Sequence, residues 1–571
     1  MSLTYFPITG IPVDPGSPTP VRREIASWSI SSDPVDRIQV SLFIRALRIF
    51  QEKDLKSDQL SYYQIAAIHG FPLLPWDNVP AKFYCPHNSF IFPTWHRPYM
   101  LLYEQCLYNI MDKEIVPSIQ NTDRREEWKA AAKQWRLPYW DWALPQADTG
   151  KLGVPKLVDE SRVQILKLDS QDLESVLNPL HKYTNRFGGR GVAMGDQRTL
   201  GGFAINYEEE PEYNKCIGTS RYGDPSDESS WANGVQNNTE ITKAFTTHDW
   251  HGQRSIAHNV YRILTEDYFK SYEPFSYTMY RNRPDLRATD FFSLEMIHNY
   301  IHGWTGGSHG HMSEVPVAAF DPIFWLHHCN VDRILAIWQY LNPDKWFDDR
   351  VAGDPKPTDP LLPFHKDSQE LKAELYELYG RTLTKLKDPE ERVPGIGDDN
   401  FQDYIINIQY DRLALEGRPY TINFDLKESD RPGKIGRTRR LGSVYNFSSP
   451  LIPVCENCES QKKGDVKSKA QVPITLHLHS LAKDTEFPDL ISLESDDVEV
   501  LLEQQLCWSV TTLSGEVIPL QDFLGLRVTV HGAPARFPAP DSLDVFQPDN
   551  YKELSGATRN KLGGTASSSA Q

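Results

Sequence analysis

The chain has 571 residues, 39% of them hydrophobic and 24% charged, enough apolar material to bury a large core. Sixty basic residues against 77 acidic ones leave a net charge of −17, which excludes the basic footprint of a nucleic-acid binder. No run approaches the ~18 consecutive apolar residues of a membrane-spanning helix, so no membrane span is expected. Seven cysteines, an odd number in so long a chain, do not read as a disulfide framework. Residues 1–20 lack the basic and apolar regions of a secretory signal. An intracellular, cytoplasmic setting is therefore expected.

Residues 37–55 carry Ile38, Leu42, Phe43, Ala46, Leu47 and Phe50 at spacings of three and four, the pattern of an amphipathic helix. A second helix is predicted near Tyr62–His69. A third begins around Thr94, with Trp95, Tyr99, Leu102, Tyr103, Cys106 and Ile110 on one stripe and Pro98 near its first turn. Residues 145–285 are rich in Gly, Asn, Asp and Ser and predict long loops with short helices such as Ser255–Leu264. Helical character returns at Phe291–His302. Asp321-Pro322, a cap residue and then a first-turn proline, opens a helix running through Trp338. A charged helix is predicted over Ser368–Leu386.

The period then changes. Residues 404–408 and 420–424 read as strands around a polar turn with Gly417 and Pro419. Residues 427–440 (KESDRPGKIGRTRR) hold six basic residues, two glycines and a proline, an exposed linker open to proteases. Strands are predicted over Ile474–His479, Val498–Leu502, Trp508–Thr512 and Leu526–Val530, and the tail from Ser555 is predicted to be disordered. The expected division is a mainly helical domain over 1–425, a basic linker over 426–440, a β-rich, sandwich-like domain over 441–555 and a tail over 556–571.

The 17 histidines are not scattered evenly. His298 and His302 form H-x-x-x-H, which on a helix puts two imidazoles on one face, as two nitrogen ligands of one metal require. His328 lies on the next helix; His327 beside it points roughly 100° away, so only one of the pair can share that site. His69, His87 and His96 form a second set of three. Two all-imidazole sites without carboxylates favour copper, or single zinc sites, over magnesium or calcium.

The stretch Phe92-Pro93-Thr94-Trp95-His96-Arg97-Pro98-Tyr99, the His298/His302 pair, and Phe320-Asp321-Pro322-Ile323-Phe324-Trp325-Leu326-His327-His328 with Asn330, Asp332 and Arg333 resemble the fungal tyrosinases. These are the type-3 dicopper polyphenol oxidases of mushrooms. The resemblance spans roughly 40–425, and in outline the second domain. It implies a helical bundle around two copper ions, one on His69, His87 and His96, the other on His298, His302 and His328, with His327 behind. It implies oxygenation of small phenols ortho to the hydroxyl and oxidation of o-diphenols to o-quinones, with dioxygen as co-substrate, feeding melanin-type pigment. It also implies a thioether between Cys85 and His87, and a substrate gate at Val315. A phenol has a pKa near 10 and needs help to ionise; the resemblance assigns Glu295 and Asn299 to a water that removes the proton. Asp332 is expected either to orient an imidazole or to pair with an arginine such as Arg97.

Fungal tyrosinases are made latent, which implies a C-terminal lid, an activating protease that cuts the basic linker, and a lid side chain filling the substrate pocket. Phe447 is the expected placeholder, with Tyr445 second. Cys455-Glu456-Asn457-Cys458 lacks a second pair and makes no zinc site alone; soft thiolates suit Cu(I), and the resemblance implies copper loading there, with a copper chaperone as partner. The rival readings are a catechol oxidase without monophenol activity, a haemocyanin-like dioxygen carrier, and a dinuclear zinc hydrolase, which would normally use carboxylate ligands.

Overall fold

The computed structural model describes the chain outside residues 1–5, 7, 14–18, 78–80, 82, 90, 208–211, 249–254, 281–290, 344, 346–385, 387–391, 398–399, 429–436, 450–455, 485–488, 491, 538–549 and 566–571. Four helices carry the framework of the first part. Helix α1 (Pro34–Glu52) starts where the Asp33 carboxylate accepts from the Val35 amide, and it buries Ile38, Leu42, Phe43, Leu47 and Phe50. Helix α2 (Phe92–Ile110) starts two residues earlier than expected, so Pro98 lies inside it. Proline has no amide hydrogen, so the α-helical bond to the Thr94 carbonyl is missing there. Helix α3 (Leu294–Gly306) is capped by Ser293, whose hydroxyl accepts from the Met296 amide. Helix α4 (Ile323–Leu341) follows Asp321, whose carboxylate accepts from the Ile323 amide at 3.2 Å and pairs with Arg221 at 2.6 Å, both side chains fully buried. An unpredicted helix, Thr122–Gln134, follows α2; over 145–285 the described chain is loops and short helices, as predicted, with two small hairpins added, Arg162–Leu166 with Leu173–Leu177 and Arg186–Phe187 with Arg190–Gly191.

The strand-rich part holds β1 (Asn400–Tyr410), β2 (Tyr420–Lys427), β3 (Thr438–Asn446), β4 (Lys467–Pro473), β5 (Leu506–Thr512), β6 (Val517–Ile518), β7 (Arg527–Arg536) and β8 (Lys552–Glu553). One antiparallel sheet has the order β6-β5-β2-β3; the other runs β8-β7-β1-β4 and ends on the short strand Met279–Tyr280. The fold is therefore a helical catalytic part with a separate strand-rich C-terminal part.

The pairing moves the internal boundary. Strand β1 lies between β7 and β4, and β2 between β5 and β3, so residues 400–427 are built into the C-terminal sheets. The expected border at 425 falls inside β2, and the expected linker 426–440 spans the β2–β3 hairpin, with Lys427 opposite Thr438.

Three local expectations change with it. Residues 474–479 alternate like a strand but form the helix Thr475–Ala482. Thr475 through His479 are all buried there, so alternation carries no information about which face is inside. Residues 498–502 lie in the helix Ser495–Gln505, whose buried Val498, Leu501, Leu502 and Gln505 follow helical spacing once the window is long enough. The described part of the tail is ordered, not disordered as expected: Gly556, Ala557 and Thr558 are buried, and the Lys561 ammonium donates to the Leu502 and Ala557 carbonyls. The helix expected over 368–386 lies outside the described residues, apart from Leu386. Among the described residues no helix is long and apolar enough to cross a membrane, and the five cysteines described are free thiols.

Candidate metal centre

His69 follows the short helix Tyr62–Ala67, and His87 lies in the loop before α2. His96 is on α2, His298 and His302 on α3, and His328 on α4. All six are buried. Four rings are held through Nδ1: His69 to the Val315 carbonyl (2.9 Å), His96 to Phe92 (2.7 Å), His302 to Met312 (2.7 Å) and His298 to the Asn299 amide oxygen (3.0 Å). A carbonyl oxygen only accepts, so each of these rings carries its hydrogen on Nδ1 and presents a bare Nε2.

Those Nε2 atoms converge. His328 Nε2 lies 3.3 Å from that of His298 and 3.4 Å from that of His302. Nitrogens each ~2.0–2.1 Å from a tetrahedral ion would stand about 3.3–3.4 Å apart, which is the spacing of His328 from both partners. Ligand atoms of His69, Cys85, His87 and His96 gather within 4.8 Å of one another, as do those of His298, His302, His327 and His328. His69 Nε2 is buried with no hydrogen-bond partner. His96 and His328 stack at 4.4 Å and 15°, and His87 and His298 at 5.7 Å, so the two groups face each other. Burial first, and in most of them neighbouring imidazoles second, push the histidines below their ordinary pKa, His96 to about 4. Neutral imidazoles keep their lone pairs for a metal. Neither cluster contains a carboxylate, so the donor set fits copper.

His327 falls inside the second cluster, stacked on His298 at 5.1 Å, with neither ring nitrogen hydrogen-bonded. What sets His328 apart is its close approach to both other Nε2 atoms. Phe324 packs against His69 (4.8 Å) and His328 (4.2 Å), and Phe92 against His298 (4.7 Å), walling the centre with apolar rings.

The Cys85 sulfur lies 3.5 Å from His87 Nδ1 and 3.3 Å from His96 Nε2. Burial pushes its thiol pKa well up. Glu295 is buried and accepts from the Asn88 amide (2.5 Å), the Thr278 amide (2.8 Å) and the Thr278 hydroxyl (3.0 Å). It ties the His87 loop to α3, and burial raises its pKa. Val315 is buried beside His69. Gly70 is required there, because a Cβ would come within 2.4 Å of Pro316 Cα. Asp332 takes the arginine option: it pairs with Arg97 and, at 2.7 Å, with Arg22.

The strand-rich part closes over these groups. The Phe447 ring stacks on His302 at 4.0 Å and 20°, and lies 5.1 Å from His87 and 5.5 Å from His298. Tyr445 lies instead over Gly303 and donates to the Ser313 carbonyl at 2.7 Å. Gln461 donates to the His87 and Asn88 carbonyls (3.2 Å each), and Ser468 to the Asn88 side chain (3.0 Å). Arg412 donates to the Phe447 carbonyl at 3.3 Å. Sequence reasoning missed Gln461, Ser468, Arg412 and Thr278, because their roles arise from contacts between distant segments with no local signal. Cys455 and the side chain of Cys458 lie outside the described residues.

Residues 59–341 match the common central domain of tyrosinase, and residues 403–530 the tyrosinase C-terminal domain. The chain is 37% identical to a tyrosinase of Aspergillus fumigatus, with 90% of each covered. It superposes on an Aspergillus oryzae holo-protyrosinase with a TM-score of 0.74 at 30% identity, covering 96% of this chain and 97% of that one. A haemocyanin of Megathura crenulata is 26% identical over 69% of this chain but only 9% of its own length. With both domains matched in order and the imidazole clusters inside the first, the chain belongs to the tyrosinase family.

Proposed function

We infer that this chain is a latent tyrosinase, which oxygenates monophenols ortho to the hydroxyl and oxidises o-diphenols to o-quinones with dioxygen. The carrying observation is the pair of buried imidazole clusters facing each other beneath the stacked Phe447 ring. Two copper ions, when bound, supply dioxygen binding and the redox equivalents. The chain's residues do the rest. The carbonyls of Val315, Phe92 and Met312 fix the imidazole protons on Nδ1. The space that Phe447 fills over His302 suits a phenol ring, with Val315 as its gate.

Asn299 aligns His298, and Glu295 holds the His87 loop; with a bound water they are assigned to phenol deprotonation. The nearness of Cys85 and His87 supports a thioether, formed as the thiol and a ring C–H lose two hydrogens to dioxygen. Latency would end when a protease cuts between β2 and β3. Cys455 and Cys458 are assigned to copper loading with a chaperone, and melanin-type pigment to the quinone product.

The test is oxygen uptake by copper-loaded protein on a monophenol and a matched catechol, before and after limited proteolysis. Uptake on both, only after cleavage, is expected. Uptake on the catechol alone would make it a catechol oxidase and remove the role given to Glu295 and Asn299. Dioxygen binding with neither substrate consumed would make it a carrier.

A further inference from the structure

Besides Phe447, the lid inserts a second ring. Tyr445 is 5% exposed, and its ring lies flat on α3 where Gly303 follows the ligand His302. A Cβ on Gly303 would come within 2.8–3.0 Å of three atoms of that ring, so the shelf exists because residue 303 is glycine. The Tyr445 hydroxyl ends on the Ser313 carbonyl. The backbone between the two rings is extended and paired: Tyr445 stands opposite Thr421 and Asn446 opposite Tyr420 of β2. Strand β2 precedes the basic loop, but both of its partners, β3 and β5, follow it, so a cut there leaves Gly303 and Ser313, not the β2 ladder, with the catalytic part.

We propose that the activated enzyme has a second aromatic subsite, on Gly303 with Ser313 O as acceptor, and that it oxidises extended peptides bearing a tyrosine two residues after an aromatic one. The reacting tyrosine takes the place of Phe447. The preceding ring takes the place of Tyr445, against Gly303 and the Ser313 carbonyl. The reaction balances as for any monophenol: the tyrosyl ring and dioxygen give the o-quinone and water. This deepens the tyrosinase reading and rests on it.

The test uses copper-loaded full-length chain, cleaved between β2 and β3 and diluted until the freed lid has dissociated, with free tyrosine and acetylated, amidated peptides Xaa-Asn-Tyr with Xaa Tyr, Phe or Ala. Fragment mass spectra locate the oxygenated ring. Burial of a ring predicts that kcat/KM for oxygenation at the last tyrosine is roughly tenfold or more higher with Phe than with Ala. The hydroxyl bond adds about threefold for Tyr over Phe. Gly303→Ala should shrink the aromatic-to-alanine ratio. Should that variant not fold, the series on the unsubstituted chain decides alone. Equal rates for all three peptides, with free tyrosine consumed, would overturn the subsite and leave the tyrosinase reading standing. No oxidation of any phenol would overturn that reading and the subsite with it.

Discussion

Latency in this arrangement is an equilibrium between a lid that is seated and one that is lifted, and Phe447 is its largest lever. The ring is 2% exposed and stacked on His302. Phe→Ala at so buried a position costs about 3–5 kcal/mol when the surroundings cannot collapse, and the ligand helices around this ring are held by their own packing. At ~1.4 kcal/mol per decade, the lower figure shifts the lifted-to-seated ratio roughly 150-fold. Uncut Phe447→Ala should therefore gain about two orders of magnitude in activity, or reach the level of the cleaved enzyme first. Tyr445→Phe removes one buried hydrogen bond and leaves the Ser313 carbonyl unpaired; about 1–1.5 kcal/mol predicts a five- to tenfold gain. Val500→Ala, at a half-exposed position of the helix Ser495–Gln505, should change nothing beyond about twofold. The assay is the initial rate of oxygen uptake on a catechol by copper-loaded, uncut protein, normalised to the same sample after cleavage. If Phe447→Ala and Tyr445→Phe are both as latent as the unaltered chain yet fully active once cut, the reasoning fails. A larger gain for Tyr445→Phe than for Phe447→Ala would refute its ordering.

Three further outcomes follow from other sites. The copper-loaded chain should weigh two hydrogens less than its sequence, and Cys85→Ala should show its full sequence mass; an unmodified Cys85 in a peptide map would contradict this. Glu266 is buried with Arg262 and Asp403, and burial raises its pKa to about 8. The folded chain then keeps a proton that the unfolded chain loses near pH 4.5, so stability should fall as pH rises from about 4.5 to 8 and level off above. Thermal unfolding of Glu266→Gln across that range should lack this fall, and an unchanged slope would count against the assignment. Arg221→Met leaves the Asp321 carboxylate buried without its partner and should cost about 3–5 kcal/mol, with much of it recovered in the double variant with Asp321→Leu; additive losses measured by denaturation would disprove the pairing.

The helices and the histidines were legible because both are written locally. Apolar spacing marks α1 and α3, Asp321-Pro322 marks the entrance to α4, and H-x-x-x-H on a helix leaves its two rings no choice but to share a face. The strand-rich part was harder to read. In Thr475–Ala482 the apolar and polar positions are buried alike, and in Ser495–Gln505 the helical spacing appears only beyond a five-residue window. The domain border was misplaced for another reason. A basic, glycine-containing stretch reads equally as a linker between domains and as the loop of a hairpin, and only the long-range pairing of β1 with β7 and of β2 with β5 separates the two. The groups that brace the centre from outside, Gln461, Ser468 and Arg412, are ordinary polar residues whose meaning comes entirely from what they meet.

That pairing also changes what a cut in the basic loop means. Strands β1 and β2 come before the loop, yet each sits between strands that come after it: β1 between β7 and β4, β2 between β5 and β3. Cleavage between β2 and β3 breaks the covalent path but removes none of the ladder bonds that hold the two pieces in register. Neither does it touch Gln461 on the His87 loop, Tyr445 on Ser313 or Phe447 on His302. Severing the chain and unseating the lid are thus separate events. Under the activation proposed above, a cut would turn an intramolecular association into a bimolecular one, from which the freed piece dissociates on dilution. On that proposal, a lid joined by two sheets and several buried polar contacts would stay seated in the intact chain and leave only once its tether no longer returned it to the same place.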